Sequence, residues 1–148
     1  MSQVKPIPDG YHSVQPYLIF DNAAAAIAFY IKAFGATEKF RMPAPGGRIG
    51  HAELQIGDSV VMLADESPQM DAFSPGHYGG SPISLLIYTA DCDAMYAQAV
   101  ACGAEGIRPP ADQPYGDRMS GVKDPFGYKW YIATHIKDVS YEEMAAQG

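Results

Sequence analysis

The residues best placed to do chemistry are His51 and Glu53, an imidazole and a carboxylate in a His-x-Glu pair. On a strand, this spacing puts both side chains on one face. Either could then serve as a general base toward a small polar metabolite. The competing structural role is modest: Glu53 accepts a hydrogen bond from His51 or Arg118 and completes a polar wall. Arg118, in Tyr115-Gly116-Asp117-Arg118, offers a fork for a carboxylate or phosphate, or else an ion pair with Asp117 or Asp124 that pins its loop. Gln15, Tyr17 and Tyr131 add an amide and two phenols, which either stack on a planar ligand or fill a cavity. His12 and His77 have no partner at readable spacing, and neither Cys92 nor Cys102 has a neighbouring base to make it a nucleophile.

These side chains need strands to aim them. Ser13–Phe20 alternates as a strand, with Val14, Leu18 and Phe20 toward the core and Gln15, Tyr17 and Ile19 opposite. Asp21 or Asn22 caps a helix over residues 23–34, whose apolar stripe is Ile27, Tyr30, Ile31 and Phe34, and Gly35 stops it. Strands follow over 36–42, 49–56 and 59–64, with turns at Pro43–Gly47 and Gly57-Asp58. In the strand over 49–56, Ala52, Leu54 and Ile56 face the helix, which sends His51, Glu53 and Gln55 the other way.

The order then repeats. Residues 83–89 form a strand, Asp91 or Asp93 starts a helix, and Gly103-Ala104 ends it as Gly35-Ala36 ended its counterpart. Gly116-Asp117-Arg118 follows Gly46-Gly47-Arg48 at the interval at which Gly127 follows Gly57. Asp124-Pro125-Phe126-Gly127 is a hairpin turn. Beyond it, Trp130 and Ile132 go to the core, with Tyr131 and His135 opposite. Each half reads strand–helix–strand–strand–strand, an α+β module that buries only one sheet face alone. Module one covers about 11–64, residues 65–82 form a linker or lid rich in Pro, Gly and Ser, and module two covers about 83–136. Ser140-x-x-Glu143 is a capping box for a final helix over 139–147. Two such modules are expected to join as one domain with a curved mixed sheet and a concave ligand cavity.

Composition narrows the function classes. With 148 residues, 47% hydrophobic and 18% charged, the chain can bury a core and is neither disordered nor fibrous. No apolar run approaches the roughly 20 residues of a bilayer span. Met1-Ser2-Gln3-Val4-Lys5-Pro6 lacks a signal-peptide core, and two cysteines make no disulfide framework, so a cytoplasmic location is expected. The net charge of −7 argues against nucleic acid and anionic membranes as partners and would suit a cationic ligand.

Several segments together carry a family resemblance: Pro16-Tyr17-Leu18, Ala26-Ile27-x-Phe29-Tyr30, Ala33-Phe34-Gly35-Ala36, His51-Ala52-Glu53-Leu54-x-Ile56-Gly57-Asp58, Tyr115-Gly116-Asp117-Arg118 and Asp124-Pro125-Phe126-Gly127-x-x-Trp130. In these the chain resembles the vicinal oxygen chelate superfamily of glyoxalases, bleomycin-resistance proteins and dioxygenases, in its small glyoxalase-like branch. The resemblance covers nearly the whole chain. It implies the tandem βαβββ fold and a homodimer, but not one function, because the superfamily holds isomerases, lyases, dioxygenases, thiol transferases and antibiotic binders. Its metalloenzymes hold a divalent ion with one ligand from the first and one from the last strand of each module. Those positions fall here on Gln15, on Val61 or its neighbour Met62, on Ser84 and on Tyr131. Only Gln15 is an acceptable ligand, so no metal or other cofactor is expected. A displaced site would need His51 and Glu53 joined by His135 or by a partner chain. The expected function is binding of a small organic compound through Gln15, Tyr17, His51, Glu53, Arg118 and Tyr131, free of chemistry, in a sequestering protein. The alternative is a lyase- or isomerase-like enzyme with His51 or Glu53 as base.

Overall fold

The computed structural model describes residues 3–147, so Met1 and Ser2 of the N-terminal reading lie outside the described residues. The chain divides into two compact units, one ending at Tyr78 and the other beginning at Gly79.

Module one runs β1 (Tyr17–Phe20), α1 (Ala23–Phe34), β2 (Thr37–Ala44), β3 (Arg48–Ile56) and β4 (Ser59–Asp65). Its sheet has the order β1-β4-β3-β2, with β1 parallel to β4 and the other pairs antiparallel. Asn22 caps α1 by accepting from the Ala25 N–H at 3.1 Å, and Gly35 ends it in the left-handed conformation at φ 68°. Asp65, at the end of β4, fixes the start of the helix. Its carboxylate accepts from the Ala23 N–H at 2.8 Å and from the Ile49 N–H at 2.7 Å.

Three expectations need correcting here. Ile31 is 40% exposed, whereas Ala26, Tyr30, Ala33 and Phe29 are buried. Ile27, Tyr30 and Phe34 of the expected stripe are buried, and the buried arc continues over alanines, whose small side chains let the helix lie close to the sheet; Ile31 alone of the four falls outside it. Val14 is 83% exposed, because the strand starts only at Tyr17. Pro16 has no N–H to give a ladder, and its carbonyl instead accepts from Met62 N at 2.9 Å. The expected turn at 43–47 also begins late. Pro43 lies within β2, which is an edge strand and tolerates the missing donor.

Module two repeats the plan: β5 (Ser84–Tyr88), α3 (Cys92–Ala101), β6 (Glu105–Asp112), β7 (Asp117–Lys123) and β8 (Lys129–His135), in sheet order β5-β8-β7-β6 with β5 parallel to β8. The two modules are thus tandem βαβββ units of an α+β chain. Asp91, not Asp93, is the N-cap of α3, accepting from the Ala94 N–H at 3.1 Å. Trp130 and Ile132 are buried, and Asp124 ties the preceding turn to them, accepting from Phe126 N, Tyr128 N and Trp130 Nε1 at 2.9, 3.0 and 2.9 Å. The last helix, α4 (Tyr141–Gln147), has its capping box: Ser140 Oγ accepts from Glu143 N at 3.1 Å and donates to Glu143 Oε1 at 3.2 Å.

Between β4 and β5, a 3-10 turn (Pro68–Met70) and the one-turn helix α2 (Pro75–Tyr78) are held locally. Glu66 accepts from both the N–H and the hydroxyl of Ser74 at 2.8 Å, and His77 stacks on Phe73 with ring centres 3.8 Å apart. No helix among the described residues is long and apolar enough to cross a membrane.

Candidate functional site

Strand register decides which side chains meet. In module one, Tyr17 pairs with Met62, Met62 with Glu53, and Glu53 with Phe40, so one row crosses the whole sheet on the face away from α1. His51 pairs with Met42 on the same face. Val61 pairs with Leu54 and faces the helix, which settles the choice between Val61 and Met62 in favour of Met62.

The polar groups of this row form one chain. Tyr17 Oη lies 2.6 Å from His51 Nδ1, and His51 Nε2 lies 2.8 Å from Glu53 Oε2. The second carboxylate oxygen accepts the hydroxyl of Tyr11. Tyr11 in turn carries Lys39 over its ring, 4.3 Å from the centroid. Phe40 and Tyr17 flank the imidazole, with ring centres 5.7 and 5.4 Å from it. Burial works against the charge on Glu53, yet the hydrogen bonds from His51 and Tyr11, with the positive charge of Lys39 nearby, outweigh it and hold the carboxyl below its usual range. Burial first, and the Glu53 charge second, push the Tyr17 phenol up.

The remaining expected site residues lie elsewhere. Gln15 precedes β1, and its side-chain oxygen accepts from His12 N at 2.5 Å, so it is spent on its own loop. Arg118 pairs with Thr134 on the α3 side of the second sheet. There its Nε and Nη2 grip both oxygens of Asp93 at 2.7 and 2.9 Å, and Nη1 reaches Asp112 at 2.9 Å. These are not the partners expected for it, Asp117 and Asp124; the first turn of α3 brings Asp93 within reach. Tyr131 is in module two on the face away from α3, and packs beside Gly121, where an added Cβ would meet its ring at 3.4 Å. The Cys92 thiol is buried, which pushes its pKa up and keeps it unreactive.

Module two has a second polar cluster. Asp117 is buried and accepts from Tyr88 Oη at 2.7 Å and bonds His135 Nδ1 at 2.8 Å, while His135 Nε2 reaches Asp138 at 2.8 Å. Tyr11, Phe40 and Tyr88 carried no signal of these contacts, because the sequence separation of 42 between Tyr11 and Glu53 is bridged only by folding.

The metal positions implied by the resemblance hold an amide, a thioether, a hydroxyl and a phenol. Gln15 is already engaged, and among the described residues no three His, Cys, Asp or Glu side chains gather to hold an ion. That donor set does not fit a divalent metal.

Residues 11–132 match the Glyoxalase/Bleomycin resistance protein/Dioxygenase superfamily. The chain belongs to this superfamily. An uncharacterized protein of Mycobacterium bovis is 39% identical over 137 residues, covering 90% of each chain. One of Arabidopsis thaliana is 30% identical over 115 residues, covering 73% of this chain and 69% of that one. Among solved structures, TioX from Micromonospora sp. ML1 superposes with a TM-score of 0.66 at 24% identity, over 87% of this chain and all (100%) of that one. A glyoxalase/bleomycin resistance protein/dioxygenase from Nocardioides superposes with a TM-score of 0.65 at 21% identity, over 95% and 90% of the two chains. Both share the fold of this superfamily member.

Proposed function

We propose that this glyoxalase-superfamily chain binds a small, neutral or cationic organic molecule on the module-one face that carries Tyr17, His51 and Glu53. The observation that carries this reading is the buried Glu53 carboxylate, held in its charged form beneath an exposed rim of Tyr17, Phe40 and Met42. A polar centre under aromatic and thioether surface is the usual make-up of a small-molecule site. The negative centre and the net charge of −7 favour a cation over an anion. Sequestration, as in the bleomycin-resistance members, needs no more than this. The working form is a cytoplasmic homodimer, with neither nucleic acid nor a membrane as partner.

A second reading, a lyase- or isomerase-like enzyme acting on a small polar metabolite, is favoured by one feature. His51 is bonded at both nitrogens, to a carboxylate on one side and a phenol on the other.

Thermal unfolding against a panel of planar cationic and neutral compounds, and of Ni, Zn, Mn, Fe and Mg ions, tests the proposal. A ligand at 100 times its Kd adds about 2.7 kcal/mol of stability. At least one organic compound is expected to raise Tm, with the shift reduced in Glu53→Gln. A response to metal ions alone would overturn the reading.

A further inference from the structure

The geometry points to a specific chemical role for this face: Tyr17 is a proton-transferring catalytic residue, and His51 and Glu53 are the positioning residues that activate it. This rests on the reading that ligands bind at the Tyr17 face, and it adds a reaction to what could be binding alone.

The direction of the chain follows from donor and acceptor chemistry. An ionised carboxylate can only accept, so the His51 Nε2 that sits 2.8 Å from Glu53 Oε2 carries a hydrogen. In the neutral imidazole the other nitrogen must then accept, and the group facing Nδ1 at 2.6 Å is the Tyr17 hydroxyl. Tyr11 takes the second oxygen of Glu53, which fixes the rotation of the carboxylate and with it the plane of the imidazole. The arrangement is nucleophile or acid, base, and orienting carboxylate, the order in which triads activate a hydroxyl.

Exposure grades along the same chain. The Glu53 side chain is 7% accessible and that of His51 22%, whereas Tyr17 is 49% exposed as a residue. A ligand on this face therefore meets the phenol first. The carboxylate lies behind it. The Tyr17 phenol, pushed up by burial and by Glu53, keeps its proton at rest and releases it only as His51 accepts it.

The step balances without any further reagent. A weakly acidic X–H group of the ligand gives its proton to Tyr17 Oη as the tyrosine's own proton moves to His51 Nδ1. One X–H bond breaks, one N–H bond forms, and the imidazolium is paired with Glu53. Reversal returns the proton to a different atom of the ligand, which is an isomerisation, or to a leaving group, which is an elimination. The substrate class is a small neutral or cationic molecule with such a proton, since an anion would sit against the Glu53 charge.

Benzenesulfonyl fluoride tests the relay without knowledge of the natural ligand. At an activated phenol the Oη–S bond forms, the S–F bond breaks, fluoride leaves and the phenolic proton goes to His51 Nδ1. Peptide mass spectrometry of the whole protein after timed exposure should show Tyr17 modified about 100-fold faster than Tyr78 or Tyr141, although these are 65% and 89% exposed. His51→Ala should remove that advantage and added imidazole should restore part of it, which a merely structural role would not allow. Glu53→Gln, close in shape, should slow labelling about tenfold and covers the case in which His51→Ala fails to fold. The relay is overturned if Tyr17 reacts no faster than Tyr141, or if neither variant slows it. Because no ligand enters the assay, failure of the relay is separate from failure of the binding proposal, which the ligand panel decides.

Discussion

Each module places a tyrosine, a histidine and a carboxylate on the sheet face away from its helix, but the order differs. In module one the imidazole is central, bridging Tyr17 and Glu53. In module two the carboxylate is central: Asp117 takes both the Tyr88 hydroxyl and His135 Nδ1, and the far nitrogen of His135 goes to Asp138. The consequence is chemical. A phenol facing an imidazole nitrogen has a base to receive its proton. A phenol facing a carboxylate has its proton held, and the Asp117 hydrogen bond pushes the Tyr88 phenol up accordingly. His135, between two carboxylates, is pushed up first by Asp117 and then by Asp138 and favours its charged form. The same three residue types thus make a relay in one module and an ion-paired brace in the other.

The comparison breaks most sharply on phenol reactivity. Benzenesulfonyl fluoride should modify Tyr17 about 100-fold faster than Tyr88, although Tyr88 is the more exposed, at 61% against 49%. Equal rates would mean that the order of the three groups has no chemical effect.

Next in size is stability. Glu53→Ala and Asp117→Ala each strip a buried acceptor from two side-chain donors, so each should cost about 2 kcal/mol in urea unfolding. Trp130, the sole tryptophan, lies in module two, and its fluorescence follows the Asp117 variant, while circular dichroism follows both. A loss below about 0.5 kcal/mol in either variant would demote that cluster to a surface contact.

A smaller effect separates the histidines by pH. The folded pKa of His135 is raised, so its contribution is fully present below the ordinary histidine value of about 6.5 and is lost as pH rises through the higher folded value. His135→Asn should flatten that part of the pH dependence of the Trp130 transition; an unchanged slope would remove His135 from the brace. Glu53 has the opposite sign. Its folded pKa is lowered, so its contribution is present above the unfolded carboxyl value and lost as pH falls through the folded one.

The smallest effects are expected where the helices face outward. Ile31→Ser on α1 and Val100→Ser on α3, both 40% exposed, should each change stability by less than about 0.5 kcal/mol. A larger loss at Ile31 would restore it to the core stripe of α1.

Much of this was legible before folding was considered. Alternation put His51 and Glu53 on the face of the first sheet away from its helix, and Trp130 and Ile132 on the helix side of the second, because strand parity is local and survives any tertiary arrangement. The Gly35 stop was readable for the same reason, and each cap was narrowed to two candidates, Asp21 or Asn22 and Asp91 or Asp93, between which the structure chose Asn22 and Asp91. Arg118 was misplaced because its segment reads as a turn, whereas it belongs to β7 with the parity of Ser120 and Val122, facing α3.

By itself, then, the sequence determined the duplicated βαβββ plan, the helix ends and the face on which most strand side chains lie. Those features depend on residue type and on spacing within a few positions. Only the tertiary structure decided which groups touch. Tyr17 reaches His51 across 34 residues and Tyr11 reaches Glu53 across 42. Such contacts require the register of β1 on β4 and of β4 on β3, and a shift of one residue would send every side chain of a strand to the opposite face.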